Sequence, residues 1–412
     1  MSIPSPGTVK PAQLKDKDVG YSFIEFPEDT IFLESFSANP QFRPHVAYVP
    51  AQRIVNGVEE THLYEISAGS TTAKHIAGPL EAPDGSTDVT VFGSALTSTG
   101  LWYLCAFNRN SVMVVDLTKQ ISDAGPERIK ALWEVPDLSS PNDVCYDPQD
   151  ENILYVVGGT FASVGCGMEF SNSARGQVYK VDLTNSAAPS VTIQADNLRT
   201  LAGVEVIGDK LWLAQLYDIL YQSKSDVGSP TTVAWDGKDG EGNVWLADNI
   251  DVTDDGVILC PAYSTVPEST VNKVMQRGFL MSAVLFYYQV STAFMRGERF
   301  REAIRDPEVS LSFSNTYIKE GVPPAPIRLI MIKGEKVAHL EVDLEDIRAN
   351  NANMTIKDLK NGKVLGERYY FNEQVTHTGH LRAPDGQGYL AFVNFECPRI
   401  LLLKEESFLK EF

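Results

Sequence analysis

Four segments of this chain set a carboxylate or amide, or the place where one would stand, just before a turn and an apolar strand. They are Phe32-Leu33-Glu34-Ser35, Ser140-Pro141-Asn142-Asp143-Val144, Leu201-Ala202-Gly203-Val204 and Leu246-Ala247-Asp248-Asn249-Ile250. Glu, Asp and Asn supply hard oxygen donors, the kind that suit Ca2+, which accepts about 6–8 oxygens in flexible geometry. Together the segments outline one ion site, to which the third brings no polar ligand because Ala202 stands there. Segments so distant in sequence meet at one point only if the fold arranges repeated units around an axis.

The repeat is legible. Turn-then-strand phrases recur at Gly100-Leu101-Trp102-Tyr103-Leu104-Cys105, Asn152-Ile153-Leu154-Tyr155-Val156-Val157, Lys210-Leu211-Trp212-Leu213-Ala214, Gly256-Val257-Ile258-Leu259-Cys260 and Gly388-Tyr389-Leu390-Ala391-Phe392-Val393. A second strand with a shared ending follows several of them, in Val112 to Leu117, Val178 to Leu183 and His339 to Leu344. The first four copies are spaced by about 45–60 residues, the range of propeller blades rather than helical solenoids. Asn56-Gly57, Asp84-Gly85, Asp255-Gly256, Asn361-Gly362 and Asp385-Gly386 are hairpin-turn pairs, since Asn or Asp before Gly tolerates positive φ. No low-complexity linker divides the 412 residues. The expectation is an all-β fold in one propeller domain over residues 19–412, preceded by a flexible N-terminal segment, 1–18.

The net charge of −19 argues against a nucleic-acid partner, which a surplus of Lys and Arg would bind, and favours cations. Five cysteines without paired spacing read as buried thiols of a reducing compartment. The first residues lack a charged and apolar leader pattern, so a cytoplasmic location is expected. One stretch breaks the β pattern. From about 269 to 305 the composition turns helical, and its apolar part, 279–295, falls short of the ~20 residues that span a bilayer. A helical insertion over one face of the propeller is expected, acting as a lid or as the contact of a homodimer. Membrane-surface contact through its aromatic face and basic flank is the alternative.

In order and spacing, Pro141-Asn142-Asp143-Val144, Gly176 to Asp182, Ala202-Gly203-Val204-Glu205-Val206 and Ala247-Asp248-Asn249-Ile250 resemble the six-bladed propellers of the paraoxonase, strictosidine synthase-like and regucalcin/gluconolactonase superfamily. The resemblance is strongest from 140 to 267 and weaker towards Glu34 and Gly388. It implies six blades, with Gly20 to Phe26 closing the ring against the C-terminal strands. It also implies a channel Ca2+, with Mg2+ as the alternative, held by Glu34, Asn142, Asp248 and Asn249. A further Asn of the paraoxonase pattern is Ala202 here. The Asp that holds a second, structural calcium is Ser35, so that ion is not expected and Asp143 loses its clearest role.

The resemblance further implies a hydrolase of lactones or aryl esters, in which the channel ion polarises a carbonyl and a base activates water. The relay histidines of the paraoxonases fall at Phe92 and Phe161, which read instead as contacts for a fairly apolar small-molecule substrate. Among six histidines, His377 stands shortly before the last inner strand and is the leading candidate base. His45 follows it, His62 and His339 belong to outer strands, and His75 to a polar loop. Asp248 is the alternative base. A non-hydrolytic reading stays open: strictosidine synthase-like bond formation, cyclisation or isomerisation, or a metal-binding propeller without catalysis. No Gly-x-Ser-x-Gly elbow, His-Glu-x-x-His motif or phosphate-binding loop occurs in the chain.

Overall fold

A computed structural model describes residues 12–15, 20–27, 29–56, 58–122, 129–136, 138–158, 176–185, 188–199, 201–230, 232–239, 241–267, 327–343, 354–357, 364–368, 375–394 and 399–405. Among the described residues six larger sheets, antiparallel within each blade, follow one another along the chain, beside two two-stranded sheets, Leu80–Glu81 with Ile129–Lys130 and Met354–Lys357 with Val364–Arg368. Blade 1 runs from the interrupted inner strand Thr30–Leu33 and Ser37–Ala38 through Val46–Val55 and Val58–Ser67 to Lys74–Ala77. Blade 2 is Val91–Leu96, Leu101–Ala106, Ser111–Asp116 and Trp133–Val135; blade 3 is Asp143–Asp147, Asp150–Gly158, Gly176–Asp182 and Ser190–Leu198. Blade 4 is Leu201–Ile207, Lys210–Gln215, Asp218–Ser223 and Thr232–Trp235. Blade 5 pairs Asn243–Ala247 and Asp251–Val252 with Ile258–Pro267, then Ile327–Lys333 and Lys336–Asp343.

Blade 6 takes Val375–Arg382, Gly388–Asn394 and Arg399–Lys404 from the end of the chain and its outer strand, Tyr21–Glu25, from the beginning. Tyr21 lies opposite Leu403 and Glu25 opposite Arg399, whose guanidinium reaches the Glu25 carboxylate at 2.6 Å. The chain is a six-bladed β-propeller. Ala12–Lys15, within the segment expected to be a flexible tail, runs parallel to Lys336–Asp343 along the rim of blade 5.

Each recurring phrase of the sequence is the second strand of its blade, in blades 2 to 6. Its apolar character on both faces has a packing reason. Alternate side chains of a strand point to opposite faces of its sheet, and a propeller blade is covered on both. In Leu101–Ala106, Trp102 and Leu104 pack against blade 1, while Tyr103 and Cys105 pack against blade 3. The core accordingly consists of six apolar layers, one between each pair of adjacent blades, including the 6–1 layer that holds Ile24 and Phe36. The phrases with a shared ending are not equivalent: two are third strands, and the one containing His339 is the fourth strand of blade 5.

Helix is scarce among the described residues, comprising Leu117–Ser122 and the 3-10 turn Phe107–Arg109. The expected helical insertion, 269–305, lies outside them. No helix among the described residues is long and apolar enough to cross a membrane. His75, expected in a loop, sits in the strand Lys74–Ala77, where its Nε2 meets His62 Nδ1 at 3.1 Å.

Candidate metal centre and channel

The expected ligands sit where the inner strands are broken or begin. Glu34 falls between Thr30–Leu33 and Ser37–Ala38, and Asn142 immediately precedes Asp143–Asp147. Asp248 and Asn249 occupy the break between Asn243–Ala247 and Asp251–Val252, where the pairing to Ile258–Pro267 shifts register. Such bulges re-aim side chains away from the regular alternation. All four residues are buried, at 1–5% exposure.

Contacts between neighbouring inner strands link these segments into a closed ring. Ser35 Oγ donates to the Phe92 carbonyl at 2.7 Å, and the Gly93 N–H donates to the Asn142 carbonyl at 2.6 Å. Val204 N–H donates to Asp143 Oδ2 at 3.0 Å. Gly203 abuts Asn249, whose N–H reaches the Thr376 carbonyl at 3.2 Å; Thr376 Oγ1 returns to the Glu34 carbonyl at 3.4 Å. One residue or two from every blade is tied at this level, and the Glu34, Asn142, Ala202 and Asp248-Asn249 segments all belong to it. Asp143, which lost its clearest role with the second calcium, braces blade 3 to blade 4.

Polar bookkeeping within the ring is incomplete. The side-chain oxygen of Asn142 and both polar atoms of the Asn249 amide are buried without a hydrogen-bond partner. An unmet buried polar group costs about 1–3 kcal/mol, so such atoms call for an explanation. A hard cation would meet them: the two amide oxygens with the carboxylates of Glu34 and Asp248 would offer an all-oxygen set able to neutralise a divalent ion, with water completing the shell. Among the described residues no three His, Cys, Asp or Glu side chains gather into a metal cluster, and this set contains only two. The residues present therefore fit Ca2+ or Mg2+ rather than a metal that needs nitrogen or sulfur.

Further along the same inner strands lies a chamber of about 260 Å³ with lining from all six blades, including Phe36, Ser94, Asp143, Glu205, Asp251 and His377. Burial pushes the Asp143 carboxyl up to about 7, against the hydrogen bonds from the Val204 and Val144 backbones, and the Asp251 carboxyl up to about 6. Glu205 is driven well above the usual carboxylate range by burial and then by the charges of Asp251 and Asp143. Sequence reasoning passed over Glu205 and Asp251. The signal available was a charged residue inside an apolar inner strand, in Gly203-Val204-Glu205-Val206 and Ile250-Asp251-Val252.

His377 lines this chamber, 6% exposed, with its ring edge-on to Phe36 at 5.2 Å and its Nδ1 without a partner. Burial lowers its pKa to about 4, so the ring is neutral and weakly basic near pH 7. Phe92 stacks on Phe107 with centroids 4.3 Å apart. Phe161 lies outside the described residues. His45 faces the Arg382 carbonyl at 3.1 Å, and His339 accepts the Trp235 indole N–H at 3.0 Å, so both are engaged structurally.

No protein-family model matches the chain, and no curated protein matches its sequence. Among solved structures it is similar to a luciferin-regenerating enzyme at 10% identity, covering 93% of this chain and 95% of that one with a TM-score of 0.48. It is similar to a calcium-binding regucalcin from Agrobacterium tumefaciens at 10% identity, covering 95% of each chain with a TM-score of 0.47. A gluconolactonase from Xanthomonas campestris gives 10% identity, 93% and 89% coverage and a TM-score of 0.46. The assignment to six blades rests on the strand order and the closing strand rather than on these likenesses.

Proposed function

We propose that this propeller is a Ca2+-dependent hydrolase of a lactone or ester, with the ion held by Glu34, Asn142, Asp248 and Asn249. The observation that carries the reading is the pair of buried amides, Asn142 and Asn249, whose oxygens lack partners in the ring that also carries the Glu34 and Asp248 segments. When bound there, the ion would polarise a substrate carbonyl and stabilise negative charge developing on its oxygen. Asp248 would take a proton from the attacking water as its oxygen bonds to the carbonyl carbon. The carbon–oxygen bond to the leaving group then breaks, and the proton passes to the departing alkoxide. Phe92, whose carbonyl is held in the ring by Ser35, would offer the substrate an apolar contact.

A second reading has its own support. His377 is held to a pKa of about 4 by burial, and the positions of the relay histidines hold Phe92 and Phe161, which favours chemistry without a histidine base. That reading is a propeller that keeps the ion but performs a non-hydrolytic reaction or only binds. Thermal unfolding of chelator-treated protein, with and without millimolar Ca2+, tests the ion, because a ligand of the native state alone raises stability by mass action. An upward shift that Asp248→Ala abolishes supports the site. No shift, with no metal found by elemental analysis, overturns it. Turnover of lactones and aryl esters by the Ca2+-loaded protein, lost in Asp248→Ala, separates hydrolysis from the second reading.

A further inference from the structure

Asp143, Glu205 and Asp251 reach the chamber from three consecutive blades, 3, 4 and 5. Backbone N–H groups hold them: Val204 for Asp143, Val206 for Glu205, and both Val252 and His380 for Asp251. Among the described residues none of the three forms an ion pair with Lys or Arg. His380 also lines the chamber, but its ring is engaged by Glu405 at 3.0 Å and Asp254 at 3.8 Å, and Asp254 is bound in turn by Arg382 at 2.7 Å. Carboxyls taken out of bulk water without counter-charge ionise only at a cost, and a cation from outside would relieve all three together. A separate observation points the same way. His377, almost fully buried, lines this chamber with a partnerless Nδ1, which accepts an N–H group when the neutral ring carries its proton on Nε2.

We propose that the chamber is a cation site distinct from the metal level of the channel, and that its ligand is a small organic ammonium. Among the described residues no three acidic or histidine side chains gather into a metal cluster, and the acceptors of the chamber stand on separate blades, a spread that suits an organic cation with more than one N–H group. A space of about 260 Å³ admits a body of several heavy atoms. A diammonium compound carries N–H donors at separated points, which matches acceptors standing apart on three blades and at His377 Nδ1. The rings of Phe36 and Tyr146 on the wall add faces that attract alkylammonium groups. The proposal does not depend on the hydrolase reading, because none of Glu34, Asn142, Asp248 and Asn249 lines the chamber.

The test uses the full chain in saturating Ca2+, with 1,4-diaminobutane as probe and NaCl at matched ionic strength as control. The diamine is expected to raise the unfolding temperature by several degrees beyond NaCl, and Asp248→Ala to leave that shift in place. Glu205→Gln, which keeps size and a backbone acceptor, is expected to abolish the shift; Asp251→Asn serves the same purpose if the first variant does not fold. No shift beyond NaCl, or a full shift in both carboxamide variants, overturns the proposal. So does elemental analysis giving two Ca2+ per chain that falls to one in Glu205→Gln, which would make the chamber a metal site.

Discussion

Gly203 presses on Asn249 so closely that a Cβ at position 203 would lie 2.6 Å from the Asn249 Cα and 2.6 Å from the Ile250 nitrogen. The break in the blade 5 inner strand that carries Asp248 and Asn249 is thus packed against the bare backbone of blade 4. Gly203→Ala must push the two blades apart at the level of the ion. The expected cost is about 1–3 kcal/mol, the usual range for overpacking, with a smaller Ca2+-dependent gain in the urea midpoint. A urea titration with and without Ca2+ checks both, and an unchanged midpoint would mean that the break yields freely.

Ile24, fully buried in the layer between blades 6 and 1, lies on the strand that closes the ring. Ile24→Ala should cost about 2–4 kcal/mol through lost burial and the cavity left behind. Ser22, partly exposed on the same strand, provides a control substitution expected to change stability by less than about 0.5 kcal/mol. Equal effects at the two positions, read from the urea midpoint, would argue that the closing strand does not contribute to cooperative folding.

Lys224 Nζ reaches both oxygens of Asp147, at 2.8 and 2.7 Å, and the two side chains are only 14% and 11% exposed. The pair joins the end of the blade 3 inner strand to blade 4. Lys224→Met should destabilise by about 1–3 kcal/mol, largely because Asp147 is left without its counter-charge. Combining it with Asp147→Asn should cost less than the sum of the two single changes. Strict additivity in this double-mutant cycle would show that the pair does not interact.

His339 accepts a hydrogen bond from Trp235 through Nε2, and burial lowers its pKa below 6.5. The folded ring is therefore neutral where the unfolded one begins to protonate. Its stabilising contribution is complete above about pH 6.5 and is lost as pH falls through the lower folded value. Glu205 works with the opposite sign, since its raised pKa lets the folded state keep a proton that the unfolded state releases, so its contribution fades as pH rises. The comparison between wild type and His339→Gln isolates the histidine. The variant should lose less stability between pH 7.5 and pH 5, read from urea midpoints, and an identical loss would exclude His339 as a source of acid sensitivity.

The sequence by itself determined the β class, the repeat and the donors. The phrases around Trp102, Leu154, Trp212, Leu259 and Leu390 are second strands because a strand buried on both faces must be apolar at nearly every position, a pattern written within a few consecutive residues. The buried Asn142, Asp248 and Asn249 were legible for a similar reason, each being a polar residue beside a strand end. Tertiary structure alone decided which residues share a height on the axis. That height follows from register shifts in blade 5 and from hydrogen bonds between neighbouring inner strands, such as Val204 to Asp143, which no single segment encodes. It is why Glu205 and Asp251 face Asp143 across a chamber, and why His377 lines that chamber against Phe36. Local sequence fixes the period of a strand, whereas the meeting of three carboxylates from three blades is a property of the closed ring.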